Sequence, residues 1–264
     1  DQFLIISYLG LKEFGIYNVA LTASWVVSSI SSSISSALFP QFAERFGRKG
    51  SDALSNASYG ASRYLSIIYL PLAVGLATVA LPTITLFAGT KYIEGALPLA
   101  LFSLASTIEC LGLIATSVIA SLGKTKIFLW SNLLSFFVDT LLCLMLIPPA
   151  GIVGVSLSKT LSSIVGLAFI MYSLKRIFGW RYDREALKKS WLSSAIMALI
   201  VLLVQQFLVG RFFLPWYILI GGAAYFVFMR LFRVINASDA ALIKDFLPRR
   251  LEFIADILAK LLVV

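Results

Sequence analysis

"SWVVSSISSSISSALFP", from Ser24 to Pro40, carries eight serines in seventeen residues and lies within an uncharged stretch from Phe14 to Ala43. As a helix, that stretch reaches about 45 Å at 1.5 Å per residue, longer than the ~30 Å hydrocarbon core of a bilayer. Length and lack of charge predict a membrane crossing, and the hydroxyls demand a reason. At helical spacing, Val26, Val27, Ile30, Ile34 and Leu38 share one arc. Ser24, Ser28, Ser29, Ser31, Ser32, Ser33, Ser35 and Ser36 fill most of the rest, and Asn18 and Thr22 extend the polar arc. Two readings remain open. Small side chains let helices approach closely, with each hydroxyl bonded back to a carbonyl of its own helix. Alternatively, the face lines a water-accessible cavity, touching solvent and substrate without holding either tightly.

The rest of the chain is of the same kind. Of 264 residues, 59% are hydrophobic and 13% charged, and the mean hydropathy is +0.93. That composition cannot build the charged surface a soluble domain needs, so the chain is predicted to be an integral membrane protein. Apolar runs predict helices near 1–10 (partial), 16–39, 64–88, 97–122, 127–147, 152–173, 190–209 and 213–229. Glycine and proline mark the breaks between them, as in "FGRKGSD", "AGTKYIEG", "LGKTK" and "IPPAG". About eleven residues precede the first loop, so the chain is expected to open partway through a transmembrane helix.

Basic residues set the predicted orientation, since they are retained on the cytoplasmic side. Eighteen of the 22 lysines and arginines fall on one set of alternate loops and the tail; only Lys12, Lys91 and Arg211 fall on the other, and Lys159 lies within a helix. This places the protein in the cytoplasmic membrane as a multi-pass chain with a cytoplasmic C-terminus. The net charge of +9 then follows from topology, and no nucleic-acid partner is expected. Asn56-Ala-Ser58 and Asn236-Ala-Ser238 fall on the same cytoplasmic side, so they are accidental glycosylation matches. After Arg233, leucines, isoleucines and phenylalanines at helical spacing, interrupted by charges, predict an amphipathic helix over 234–264 lying on the cytoplasmic membrane surface or docked onto the protein's own cytoplasmic loops.

The sequence has no histidine, and its two cysteines, Cys110 and Cys143, sit in apolar runs as buried thiols. No nucleophile–base pair, phosphate-binding loop or metal cluster is present, so neither an enzyme nor a resident cofactor is expected. The chemistry lies in four ionisable groups at bilayer depth, where a charge costs a few kcal/mol: Asp1, Glu109, Asp139 and Lys159. Asp139 and Lys159 each lie ten residues from Pro149 on successive helices, which predicts an ion pair between them. Glu109 sits at the midpoint of its span, either beside that pair or facing a cavity. With Arg63 at a helix entrance, the transport-path candidates are Asp1, Asn18, Ser24, Ser28, Ser31, Ser32, Ser35, Arg63, Glu109, Asp139 and Lys159.

Several segments carry a family likeness. "LGLKEFGIYNVALTAS", "SALFPQFAERFGR", "YLPLAVGLATVALPTITLFAG", "ASLGKTK" and "IPPAGIVGVSLSKTLSSIVGL" occur in an order that resembles the second half of polysaccharide-biosynthesis flippases. These belong to the multidrug/oligosaccharidyl-lipid/polysaccharide exporter superfamily. The resemblance implies an all-α, MATE-like fold, of which this chain would be the C-terminal lobe, about seven full spans plus a partial one. Residues 1–173 would form the second six-helix lobe, 174–233 two additional helices, and 234–264 the tail. It further implies translocation of an oligosaccharide linked to a polyprenyl or dolichyl phosphate, by rocking against a missing N-terminal lobe or partner chain, among membrane lipids. The alternatives are a cation-coupled multidrug exporter of the same superfamily, or an inactive or scaffolding fragment.

Overall fold

The computed structural model describes residues 1–178, 183–208 and 210–234; within them, the side chains at 31, 34, 35, 37, 41, 45, 49, 51–53, 110, 111, 178 and 211, Ser31, Ser35 and Cys110 among them, lie outside the described set. All described regular structure is helical. In chain order it comprises α1 (Gln2–Tyr8), α2 (Leu11–Thr78), α3 (Ala80–Phe87), α4 (Ala96–Ser121), α5 (Lys126–Phe178), α6 (Arg184–Phe207) and α7 (Leu214–Leu231). Short 3-10 turns at Thr90–Gly95 and Arg211–Phe213 precede α4 and α7.

Two of these helices are hairpins. Helix α5 is broken at Gly151, whose φ of 54° lies in the left-handed region that favours glycine. Its arms run antiparallel: Ser131 Oγ donates to the Gly166 carbonyl at 3.0 Å, Ser135 Oγ to the Ser162 carbonyl at 3.2 Å, and Cys143 Sγ meets Ser158 Oγ at 3.0 Å. The "IPPAG" turn thus sits where the sequence placed it, although helical backbone continues through Pro148 and Pro149 up to the glycine. The arms touch closely, because a Cβ on Gly154 would collide with the Leu146 carbonyl and one on Gly166 with Ser135 Oγ.

Helix α2 breaks at Gly50, with φ 73°. Val27 and Phe42 from its first arm share an apolar cluster with Leu54, Leu65, Tyr69 and Ala73 from its second. The start of the first arm, at Ile16, Tyr17 and Ala20, packs instead with Ala80 and Ile84 beyond the second arm's end. The arms are therefore antiparallel. Here the sequence reading was too short: "FGRKGSD" is not a loop but helix on both sides of Gly50, and the second arm begins well before residue 64. A run of polar residues looks like a loop, but helical backbone outside the membrane needs no apolar side chains. At the far end, the helix expected over 64–88 is interrupted at Val79, which separates α3.

Helix α4 occupies the middle, with Ile114, Ala115, Val118 and Ile119 in one cluster and Leu99 and Phe102 in the other. Ser103, Ser106, Thr107 and Ser117 on the same helix are also buried. Most of these hydroxyls bond back to carbonyls of their own turn, Ser103 to Leu99 and Ser106 to Phe102 among them, so small polar side chains pack between helices without unpaired donors. Helices α6 and α7 lie outside the second arm of α2. Gln205 Nε2 donates to the Thr78 carbonyl at 3.1 Å and Tyr225 Oη to the Ile67 carbonyl at 2.7 Å.

Among the described residues, four helices are long and apolar enough to cross a bilayer, and a fifth if the segments 90–109 and 112–121, bent by 41°, count as one span. One of them, Lys126–Ile177, is the α5 hairpin, whose 52 residues reach about 78 Å and allow two crossings. The protein is a multi-pass membrane protein. The amphipathic helix expected over 234–264 lies, from residue 235 on, outside the described residues.

Candidate substrate path

The first arm of α2 decides which serines face outward. Tyr17, Ala20, Ser24, Val27 and Phe42 are buried on its inner side. Asn18, Thr22, Trp25, Ser29, Ser32 and Ser36, spaced 4-3-4-3-4, share the opposite side; the last five are exposed and Asn18 is half-buried. The fold thus buries neither the apolar arc nor the serine arc as a unit. Val27 goes inward, whereas Val26 and Ile30 lie outward.

Of the serines singled out from the sequence, Ser32 is on the open face, Ser28 is half-buried, and Ser24 is 4% exposed with its Oγ donating to the Leu21 carbonyl. Ser31 and Ser35 have side chains outside the described set. Ser29 and Ser36, part of the serine arc read from the sequence but not named among the candidates, are exposed on this face, and so is Trp25. Only the position of the core, fixed by Tyr17 and Phe42, distinguishes them from their neighbours.

The hydroxyls on the open face bond back as the first of the two readings required. Ser29 donates to the Val26 carbonyl, Ser32 and Ser33 to that of Ser29, and Ser36 to that of Ser32, at 2.8 to 2.9 Å. Asn18 Nδ2 donates to the Phe14 carbonyl at 3.2 Å. Back-bonding explains how the residues are tolerated in a helix. It leaves open why they face outward.

Two of the four ionisable groups expected at bilayer depth meet at the junction of α1, α2 and α5. Lys159 Nζ lies 3.4 Å from Asp1 Oδ2, which also accepts from Tyr17 Oη at 2.9 Å. The expected pairing of Lys159 with Asp139 is not formed. Asp139 instead accepts from Ser162 Oγ at 3.5 Å, one helical turn beyond Lys159 on the facing arm. Equal distance from the turn set the two residues at similar depth but did not fix their directions around the helices, and α1 brought a competing carboxylate. Asp139 and Tyr17 remain within electrostatic reach of one another, as do Glu109 and Lys159. Glu109 is exposed on α4, as are Leu97 and Leu104. Among the described residues, no group of three or more acids, cysteines or histidines is placed to hold a metal ion.

Arg63 stands apart from this cluster, at the end of the bundle where α6 begins and α7 ends. One guanidinium nitrogen donates to the Val234 carbonyl at 2.8 Å, and another lies 3.8 Å from Asp183 Oδ2. Asp183 Oδ1 in turn accepts from Ala186 N, capping α6. Through these contacts Arg63 ties three elements together.

Residues 1–97 match the family model described as polysaccharide biosynthesis protein. MJ1068, an uncharacterized membrane protein of Methanocaldococcus jannaschii, is 21% identical over 209 residues, which are 79% of this chain and 40% of that protein. The fold is similar to that of the lipid II flippase MurJ in an inward closed conformation. The TM-score is 0.74 at 17% identity, covering 86% of this chain and 49% of MurJ. The family resemblance read from the sequence motifs is met in sequence over residues 1–97, and the fold agrees with it over most of the chain. The chain spans less than half the length of either relative.

Proposed function

We propose that this chain is one lobe of an alternating-access flippase for lipid-linked oligosaccharides, and that the open face of α2 lines its path. The observation that carries this reading is a contrast among outward faces of one bundle. On α5 that surface is Leu129, Trp130, Phe136, Phe137, Leu141 and Met145; on α6 and α7 it is Leu199, Leu203, Ile218, Leu219 and Val227. Those are the side chains that lipid tails accept. The open face of α2 offers Thr22, Ser29, Ser32, Ser33 and Ser36, with Trp25 among them and Val26 and Ile30 beside them. Oxygen lone pairs turned toward hydrocarbon lose their hydration with nothing in exchange, so such a face belongs beside water, substrate or a second lobe.

A second lobe, on the same polypeptide or on a partner chain, completes the cavity, and the relatives' greater length agrees with this. The carrier is a polyprenyl or dolichyl phosphate. The basic loops and the tail lie in the cytoplasm, with residues 174–233 as two additional helices beside a lobe formed by 1–173. Transport requires no bond to be made or broken.

One observation favours a coupled variant of this reading: the Lys159–Asp1 pair is only partly buried, and a bound cation or proton would rearrange it. The test is reconstitution of the full-length protein in vesicles carrying a polyprenyl-diphosphate-linked oligosaccharide, with lectin accessibility as the readout. Translocation that is lost when Ser29, Ser32 and Ser36 are all replaced by leucine supports the path. Transport unchanged by the triple substitution overturns it.

A further inference from the structure

We propose that the bundle carries a hinge of its own, between Pro71 and Val79 in the second arm of α2, and that the Tyr225 hydroxyl is its latch; this goes beyond the path reading and does not rest on it. Proline has no N–H and leaves the carbonyl four residues earlier without its helical donor. For Pro71 that carbonyl belongs to Ile67, and Tyr225 Oη of α7 donates to it at 2.7 Å. Gly75 follows one turn later, and helices bend at proline and glycine. One turn later again, Val79 interrupts the helix outright, with φ −98° and ψ 19°. Ile67, Pro71, Gly75 and Val79 recur every four residues and so lie along one face. Helices α6 and α7 cover that face. Met197 Cε stands 3.6 Å from where a Gly75 Cβ would lie, and Val79 packs with Val201, Leu214 and Tyr217.

The weak stretch lies where the two main cores meet. Leu54, Leu65, Tyr69 and Ala73 belong to one apolar cluster, and Ala80 and Ile84, just past the arm, belong to the other. Leu76, between them, packs against both. A bend between Pro71 and Val79 therefore tilts one core against the other and leaves each intact. The second core also holds Ile16, Tyr17 and Ala20, so the tilt carries the start of α2 relative to Val27 and Phe42 in the first. Outside the cores, α6 and α7 brace both sides of the hinge. Arg63 donates to the Val234 carbonyl before it, and Gln205 donates to the Thr78 carbonyl at its far end. Tyr225 bonds between these two points, at the carbonyl that the proline leaves open. Tilting requires that bond to break, and reforming it returns the arm to the straight state.

The experiment uses the full-length protein in nanodiscs, its native cysteines replaced by alanine, with nitroxides at Tyr59 and Leu81. Both positions are exposed, and they flank the hinge about 33 Å apart along a straight helix. Tyr225→Phe adds a second, shorter distance population to that of the parent and speeds amide exchange over residues 68–78 about tenfold. Pro71→Ala returns an N–H to the Ile67 carbonyl, and in that background Tyr225→Phe has neither effect. Tyr217→Phe removes another α7 hydroxyl, the one that donates to the Leu208 carbonyl, and leaves both readings at parent values. That control separates the latch from a general loosening of α7. A Tyr225→Phe variant that matches the parent, or one that acts equally with and without Pro71, overturns the inference. So does a Tyr217→Phe variant that reproduces the Tyr225→Phe result.

Discussion

Lys159 and Asp1 join α5 to the cap of α1: the ammonium lies 3.4 Å from Asp1 Oδ2, while Oδ1 of the same carboxylate accepts from Gln2 N at 2.8 Å. One carboxylate thus receives the Tyr17 hydroxyl and holds a lysine from another hairpin. At 47% and 19% side-chain exposure the pair is neither a surface bridge nor a buried one. Lys159→Met is expected to cost about 1–2 kcal/mol, between the values for the two extremes. A double-mutant cycle with Asp1→Asn, read by thermal unfolding in nanodiscs, should show coupling between the sites. Strict additivity would mean that the pair contributes nothing.

The α5 hairpin depends on glycine at two close approaches. Gly154→Ala and Gly166→Ala place a methyl against the Leu146 carbonyl and Ser135 Oγ, and each is expected to destabilise by about 1–3 kcal/mol. Gly222→Ala on α7 meets open space and is expected to be neutral or slightly stabilising. Melting temperatures of the three variants give the comparison. An equal drop in all three would contradict the packing described.

Burial separates two serines that look alike in the sequence. Ser24→Leu forces a large side chain into a buried position and should lower expression and melting temperature. Ser29→Leu projects outward and should leave folding intact while reducing substrate translocation. Matched unfolding and transport assays on both variants decide the point.

Arg63 should act on assembly of the helix layers and not on substrate. Arg63→Ala removes the link to both Asp183 and the Val234 carbonyl, and α6 and α7 should exchange amide hydrogens faster where they begin and end, respectively. Arg63→Lys restores the charge but not the two-pronged geometry, so it should rescue only in part. Unchanged exchange in α6 and α7 would remove Arg63 from this role.

Much of the fold was legible because lipid imposes simple rules. Apolar length located the helices of α4, α6 and α7, and the glycine after Pro149 located the hairpin. The long α2 was read too short, since its polar portion around Gly50 gives no hydropathy signal. The site was legible by residue type and less so by direction. Asp1, Asp139 and Lys159 do come close together, yet which carboxylate Lys159 takes depends on how α1 docks, and α1 is too short to show a periodicity. Likewise, eight serines in one helix announced a polar face, but the turn of that face followed from Tyr17 and Phe42 packing against other helices.

The central claim, that the open face of α2 borders water within the membrane, is tested most directly by cysteine accessibility. In full-length protein with Cys110 and Cys143 replaced by alanine, single cysteines at Ser29, Ser32 and Ser36 are exposed to a membrane-impermeant thiol reagent in intact vesicles, beside lipid-facing controls at Leu141 and Leu203. The account predicts rapid labelling of the three serine positions and none at the controls, with labelling slowed by lipid-linked oligosaccharide. Serine positions as unreactive as Leu141 would contradict it.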